Sequence, residues 1–210
     1  MVESGRTSPD TERTKKWDND TFLHLKVRDV SLTEPSLDLL LNDISGETFP
    51  LAMASEKVCR QLVSLARADH LVMFVDSSKI SDFSQRHVHS LAVRDFLKMT
   101  LQTKSVGRHT ILHVIFSRWD LLERTSDPQI HLDFIASLQK SFENEFASRC
   151  GKLCFWKIAA RATGGFVETR QDIVTLFQTW VGESLRMDVS LVGDVDPLGT
   201  AERDFCRFRE

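Results

Sequence analysis

Residues Leu37 to Glu47 read LDLLLNDISGE. Leu37, Leu39, Leu40 and Leu41 are apolar enough for a strand buried in the middle of a sheet. Asp43, Ile44, Ser45 and Gly46 then leave its carboxyl end, which in an open α/β sheet is the edge where ligands bind. An Asp at that place can hold Mg²⁺ through water, because Mg²⁺ is a hard cation that takes oxygen ligands. A Gly there lets a backbone N–H approach a phosphate. Glu47 follows at once and points toward whatever that phosphate reacts with. The same residues also suit a plain strand that ends in an Asp-Gly turn, so the rest of the chain has to separate the two readings.

The chain has 210 residues, 41% hydrophobic and 27% charged. That is ordinary for a globular protein and enough for one α/β domain with a real core. A formal net charge of −3 speaks against a nucleic-acid coat or a polybasic membrane anchor. No apolar run approaches the ~20 residues that span a bilayer. Neither nucleic acid nor membrane is therefore expected as a partner. Met1 to Asp20 is polar and of mixed charge, with no hydrophobic stretch for a signal peptide, and reads as a flexible leader over 1–20. Cys59, Cys150, Cys154 and Cys206 are too sparse for a disulfide scaffold, which points to a reduced, cytoplasmic protein.

Outward from the opening stretch, FLHLKV (Phe22–Val27) alternates like a half-buried strand, and a short link joins it to the strand at Ser36 to Asn42. Pro50 stands near the start of a helix whose apolar stripe is Ala54, Val58, Leu62 and Leu65. HLVMFVD (His70 to Asp76) is a short apolar strand ending in an acid. Ser81 or Asp82 caps a long helix with Val88, Leu91, Ala92, Phe96 and Met99 inward, closed by Gly107. Thr110 to Phe116 is a buried strand. Asp127-Pro128 starts a helix that carries Phe134, Ile135, Leu138, Phe142 and Phe146 and ends at Gly151. Leu153 to Ala160 is the last strand, and Ile173, Val174, Phe177, Trp180 and Val181 mark the last helix. This alternation predicts an α/β domain over 21–186, a mostly parallel sheet of about five strands with helices on both faces. Its first two strands are antiparallel. Residues 187–210 lose periodicity and read as a loosely held tail.

Two further strand ends carry chemistry. One delivers Ser117-Arg118-Trp119-Asp120 and the other Ala159-Ala160-Arg161. A carboxylate such as Asp120 accepts two N–H bonds side by side, a pattern that fits guanine and rejects adenine. Arg can stack on a base plane. The plain alternative for Ser117 to Asp120 is a loop capping a helix. Taken with the first stretch, these residues stand at successive strand ends in the order found in GTPases. The chain resembles the P-loop GTPase superfamily from its second strand onward. NDISGETF, followed by VMFVD and IFSRWD, looks most like the bacterial double-GTPase family. Ser replaces the Asn or Thr, and Arg the Lys, of that superfamily's Asn/Thr-Lys-x-Asp pattern.

The resemblance implies a switch controlled by GTP and GDP with Mg²⁺, acting on a protein effector in bacterial conflict and defence systems. It implies that Asp43 holds Mg²⁺ through water, with Thr21 or Thr14 as a second contact, and that Gly46 senses the γ-phosphate. Ser117, Arg118 and Asp120, with Ala159 and Ala160, hold the guanine. Glu47 takes the place where many such enzymes carry a Gln that orients the attacking water. A carboxylate there acts as a base or repels the phosphate, and in the plain reading it is a first-turn helix acid. Asp76 is a polar group at the pocket edge or a helix cap.

The superfamily also needs G-x-x-x-x-G-K-[ST], whose backbone N–H groups cradle the phosphates. The only Gly-Lys in the chain is Gly151-Lys152, with Phe146 five positions earlier and Leu153 after it, which is no P-loop. The first strand and P-loop of the family pattern are thus missing, and an N-terminally truncated GTPase-like chain with weak nucleotide binding of its own is expected. In the family sheet the missing strand lies between those at Ser36 to Asn42 and His70 to Asp76. Without it these two pair directly or leave their facing edges unpaired, which is costly if buried. A non-catalytic pseudo-GTPase interaction module is the alternative, and a Mg²⁺-dependent phosphate enzyme on an unrelated sheet is a third. His87 and His89 lie two apart on a helix and diverge. Cys150 and Cys154 have metal-like spacing but no second pair.

Overall fold

A computed structural model of the chain describes residues 22–27, 37–44, 46–159 and 172–182. Thr14, Thr21, Ala160 and Arg161, and the predicted leader and tail, lie outside the described residues. The core is a parallel sheet of β3 (His70–Asp76), β4 (Ile111–Ser117) and β5 (Lys152–Ile158), in that order. Ile111 to Phe116 of β4 are all buried, as a near-continuous apolar run requires of a central parallel strand. Leu71, Met73 and Val75 share one face with Leu112, Val114 and Phe116, and this face forms the main core. Val72, Ile115, Trp156 and Ile158 point to the other face. The α/β class with a parallel sheet and helices on both faces is thereby established.

The opening stretch behaves differently from its reading. β1 (Phe22–Val27) and β2 (Leu37–Asn42) pair antiparallel, from Phe22 opposite Asn42 to Val27 opposite Leu37. They form a separate two-stranded sheet, so the strands divide as two and three rather than as one sheet of five. β2 is not a buried central strand: no residue of β1 or β2 is buried, and Leu40 and Leu41 are exposed. The reason is that β2 pairs with β1 alone among the described residues, which leaves Leu37 and Leu39 half-buried at most. Of the two outcomes open to β2 and β3, direct pairing is the one not taken.

The helix after Gly46 is broken into α1 (Thr48–Ala54), α2 (Glu56–Arg60) and α3 (Val63–Ala66). Ser55 interrupts it with extended backbone, φ −146° and ψ 115°, and its hydroxyl accepts from the Val58 N–H. The break turns Ala52, Cys59, Leu62 and Leu65 inward and leaves Ala54 exposed. α4 (Ser77–Ser81) follows β3 and is capped by Asp76. α5 (Arg86–Gln102) buries Ser90, Val93, Phe96, Leu97 and Thr100, whereas Val88, Leu91 and Ala92, expected inside, are exposed. Its buried hydroxyls turn back on their own helix, Ser90 to the His87 carbonyl and Thr100 to that of Leu97, which lets polar positions face the core. α5 ends at Gln102, not at Gly107. Lys104 adopts φ 54° there, and Ser105 N–H and Lys104 N–H return to the Thr100 and Leu101 carbonyls.

α6 (Trp119–Glu123) is a short turn after β4, and α7 (Pro128–Phe146) packs Ile135, Phe142 and Phe146 into the main core as read. Gly151 does not close α7. It enters β5, where a Cβ would come within 2.6 Å of the His109 carbonyl oxygen. α8 (172–182) covers the opposite face through Leu176 and Trp180. Among the described residues no helix is long and apolar enough to cross a membrane.

Candidate functional site

Parallel register sets the site. Asp76, Ser117 and Ile158 stand side by side at the carboxyl ends of β3, β4 and β5. The residues that follow, Ser77-Ser78, Arg118 to Asp120 and Ala159, therefore leave one edge of one sheet, the position at which α/β sheets take ligands. Of the residues named from sequence, this brings together Ser117, Arg118, Asp120 and Ala159. Asp43, Gly46 and Glu47 are exposed and follow β2, whose only pairing among the described residues is with β1, so no strand register carries them to that edge.

Arg118 has φ 54° and ψ 37°, a left-handed conformation uncommon for a residue with a side chain. The turn drops the next residues into α6, where Trp119 and Asp120 are 9% and 8% exposed. Trp119 is held by its indole N–H to Glu123 Oε1 at 2.7 Å and by Lys157 Nζ, 4.7 Å from its ring centroid. Among the described residues no side-chain hydrogen bond or ion pair occupies the Asp120 carboxylate. A buried carboxylate with open acceptor positions is suited to a ligand with paired N–H donors.

Asp76 ties the edge together. Its Oδ1 accepts from the Ser78 N–H at 3.0 Å and the Ser78 hydroxyl at 2.7 Å, and Arg118 Nη1 lies 3.4 Å from Oδ2. Partial burial raises its pKa, but the Ser78 bonds and then the Arg118 charge outweigh this and hold it below the ordinary 3.8. His89, on α5, accepts the Asp76 backbone N–H at Nε2, 2.9 Å away. Burial, then Lys79, pushes His89 below 6.5, in keeping with a ring that must stay neutral to accept. Sequence reading missed Ser78, His89 and Lys157. Only Ser78 left a signal, an Asp-x-Ser pattern that favours a local side-chain turn; the other two reach the site through tertiary packing.

Fit to a guanine nucleotide is uneven. The base end suits one, with Asp120 buried and Arg118 beside it. Ser77 Oγ and Thr48 Oγ1, each at the first helical position after a strand end or its turn, are buried without a hydrogen-bond partner among the described residues. Such hydroxyls have unmet capacity for a polar ligand. Gly46 has open space around it, since a Cβ there would meet nothing within 4 Å. Asp43 and Gly46, expected from sequence at the phosphate, are not brought to this edge by any strand pairing among the described residues, and no P-loop sequence occurs in these 210 residues. Among the described residues no group of three or more His, Cys, Asp or Glu converges on one point. Mg²⁺ beside a nucleotide needs only one or two carboxylates, because phosphate and water supply its other ligands.

No curated protein and no solved structure matches the chain. The family model of Double-GTPase 2 matches residues 1–181. With that match over most of its length, the chain belongs to the Double-GTPase 2 family.

Proposed function

We propose that this chain is the guanine-reading part of a GTP-dependent switch whose phosphate cradle comes from outside these 210 residues. The single observation that carries the reading is the buried Asp120, without a side-chain partner among the described residues, in register-set proximity to Ser117, Arg118 and Ala159. Asp120 accepts the paired N–H donors of guanine. Arg118 swings from Asp76 to lie on the base, and the backbone at Ala159 and Ala160 meets the guanine oxygen. Asp43, with Thr21, would hold Mg²⁺, Gly46 would offer its backbone to the terminal phosphate, and Glu47 would act on the attacking water. The bound nucleotide and Mg²⁺ supply the hydrolysable phosphate and its charge neutralisation. Without the cradle, this chain alone binds guanine nucleotide weakly and hydrolyses it little. The switch acts on a protein effector in a bacterial conflict or defence system.

The test is displacement of a fluorescent GTP analogue from the whole chain by GDP and by ATP. Displacement by GDP and not by ATP is expected. Asp120→Ala should weaken guanine nucleotide at least ~30-fold, because two charge-assisted hydrogen bonds of ~1.5–3 kcal/mol each are removed. Equal affinity in the variant would refute the guanine assignment. A second reading, a non-catalytic interaction module, is favoured by one observation. β3 pairs only with β4 among the described residues, and Phe74 on it is 60% exposed. Absence of any nucleotide binding by the native full-length protein would select it.

A further inference from the structure

Arg86, the first residue of α5, is only 6% exposed. Its guanidinium lies between two rings, 4.1 Å from the Phe83 centroid and 4.9 Å from that of Phe134. Nη2 donates to His131 Nδ1 at 2.8 Å, while Nε is buried with no hydrogen-bond partner among the described residues. The group is always charged and has five N–H donors. No carboxylate pairs with it among the described residues. Asp82, four residues earlier, is committed to the Ser84 N–H and hydroxyl and to the Gln85 amide. His131 cannot balance the charge. Burial, then the Arg86 charge itself, holds it below 6.5, so it stays a neutral acceptor.

The helix ends add positive potential, which the Asp127 carboxylate at the N-cap of α7 partly offsets at His131. Arg86 opens the 17-residue α5 and His131 is the fourth residue of the 19-residue α7, so two helix amino ends meet here. Neither helix has a side-chain cap bond or an acid in its first turn. Unmet N–H groups and aligned peptide dipoles at such ends favour an anion. A desolvated, unpaired cation is an expensive arrangement that a carboxylate would relieve. Phe83 covers the guanidinium yet is itself 62% exposed, so the ring over the cation is apolar and open to solvent.

We propose that Arg86 receives the carboxylate of an acidic side chain from a protein partner, inserted beside Phe83 at the amino ends of α5 and α7. The Nε–H and the neighbouring Nη–H match the two oxygens of a carboxylate, a shape a point-like anion does not share. The exposed apolar ring of Phe83 over the guanidinium selects a carboxylate carried on a protein surface over a free hydrated anion.

The test follows the Nε–H resonance of Arg86 in the whole chain at constant ionic strength. Blocked glutamate (N-acetyl, N-methylamide), acetate and inorganic phosphate are titrated separately. Loss of the resonance in Arg86→Lys identifies it, and side-chain assignment of the unmutated chain does so if that variant does not fold. A saturable shift with blocked glutamate, at a concentration at least about threefold lower than with acetate, is expected. No saturable shift, saturation by phosphate ahead of both carboxylates, or equal affinity for acetate and blocked glutamate would each overturn the proposal.

Discussion

Arg118 Nη1 lies 3.4 Å from Asp76 Oδ2, so the loop after β4 is tied to the end of β3 across the candidate site. The Arg118 side chain is 62% exposed, and an ion pair of that kind contributes about 0–1 kcal/mol. Its backbone is the larger matter, because φ 54° costs a residue with a Cβ about 1–2 kcal/mol. Both Arg118→Gly and Arg118→Ala lose the pair, but only Gly relieves the backbone. The Gly variant should be the more stable of the two by about 1 kcal/mol in urea unfolding. An Ala variant equal to or above it would show that the left-handed turn is not strained.

Acid should weaken the fold through His89 and His131. Both have pKa values lowered in the folded chain relative to 6.5. As pH falls below 6.5, the unfolded chain takes up these protons while the folded chain resists, so stability is full above 6.5 and is lost as pH falls through the lowered folded values. Urea midpoints should therefore drop between neutral pH and pH values near 5. His89→Gln with His131→Gln should flatten that drop, and an unchanged slope would mean that neither ring is held neutral.

Two glycines should differ in their response to a Cβ. Gly46→Ala places its Cβ in open space and should change stability by no more than about 0.5 kcal/mol. If Gly46 approaches a phosphate, the same change should still weaken nucleotide. Gly151→Ala puts a Cβ within 2.6 Å of the His109 carbonyl oxygen and should cost roughly 1–3 kcal/mol. Thermal unfolding of the two variants side by side decides it; equal melting temperatures would contradict the close approach at Gly151.

Lys104→Gly should stabilise the chain by about 0.5–1 kcal/mol. Lys104 holds the left-handed position that ends α5, with φ 54°, where Gly pays no Cβ penalty. A lower melting temperature in this variant would show that the Lys side chain contributes more than the backbone loses.

What was legible in the sequence was whatever a short window of residues decides. The apolar run of β4, the cap at Asp76 and the stripe of α7 depend on periodicity and local side-chain chemistry, and each stands where it was read. The burial of Leu40 and Leu41 was misread because apolarity shows only that a strand can be enclosed, whereas a pairing neighbour decides whether it is. Val88 and Leu91 were misplaced for a related reason. Ser90 and Thr100 satisfy their own hydroxyls within α5, which frees the helix to turn a mixed face inward.

By itself the sequence determined that strand and helix alternate, that Asp120 follows a buried strand, and that no P-loop lies within these 210 residues. Those follow from side-chain polarity and spacing along the chain. The tertiary structure alone decided that Asp76, Ser117 and Ile158 share one edge, that β1 and β2 pair apart from the other described strands, and that Arg86 is buried against His131 without a carboxylate among the described residues. Register, pairing and desolvation are relations between residues distant in sequence, and no local pattern encodes them.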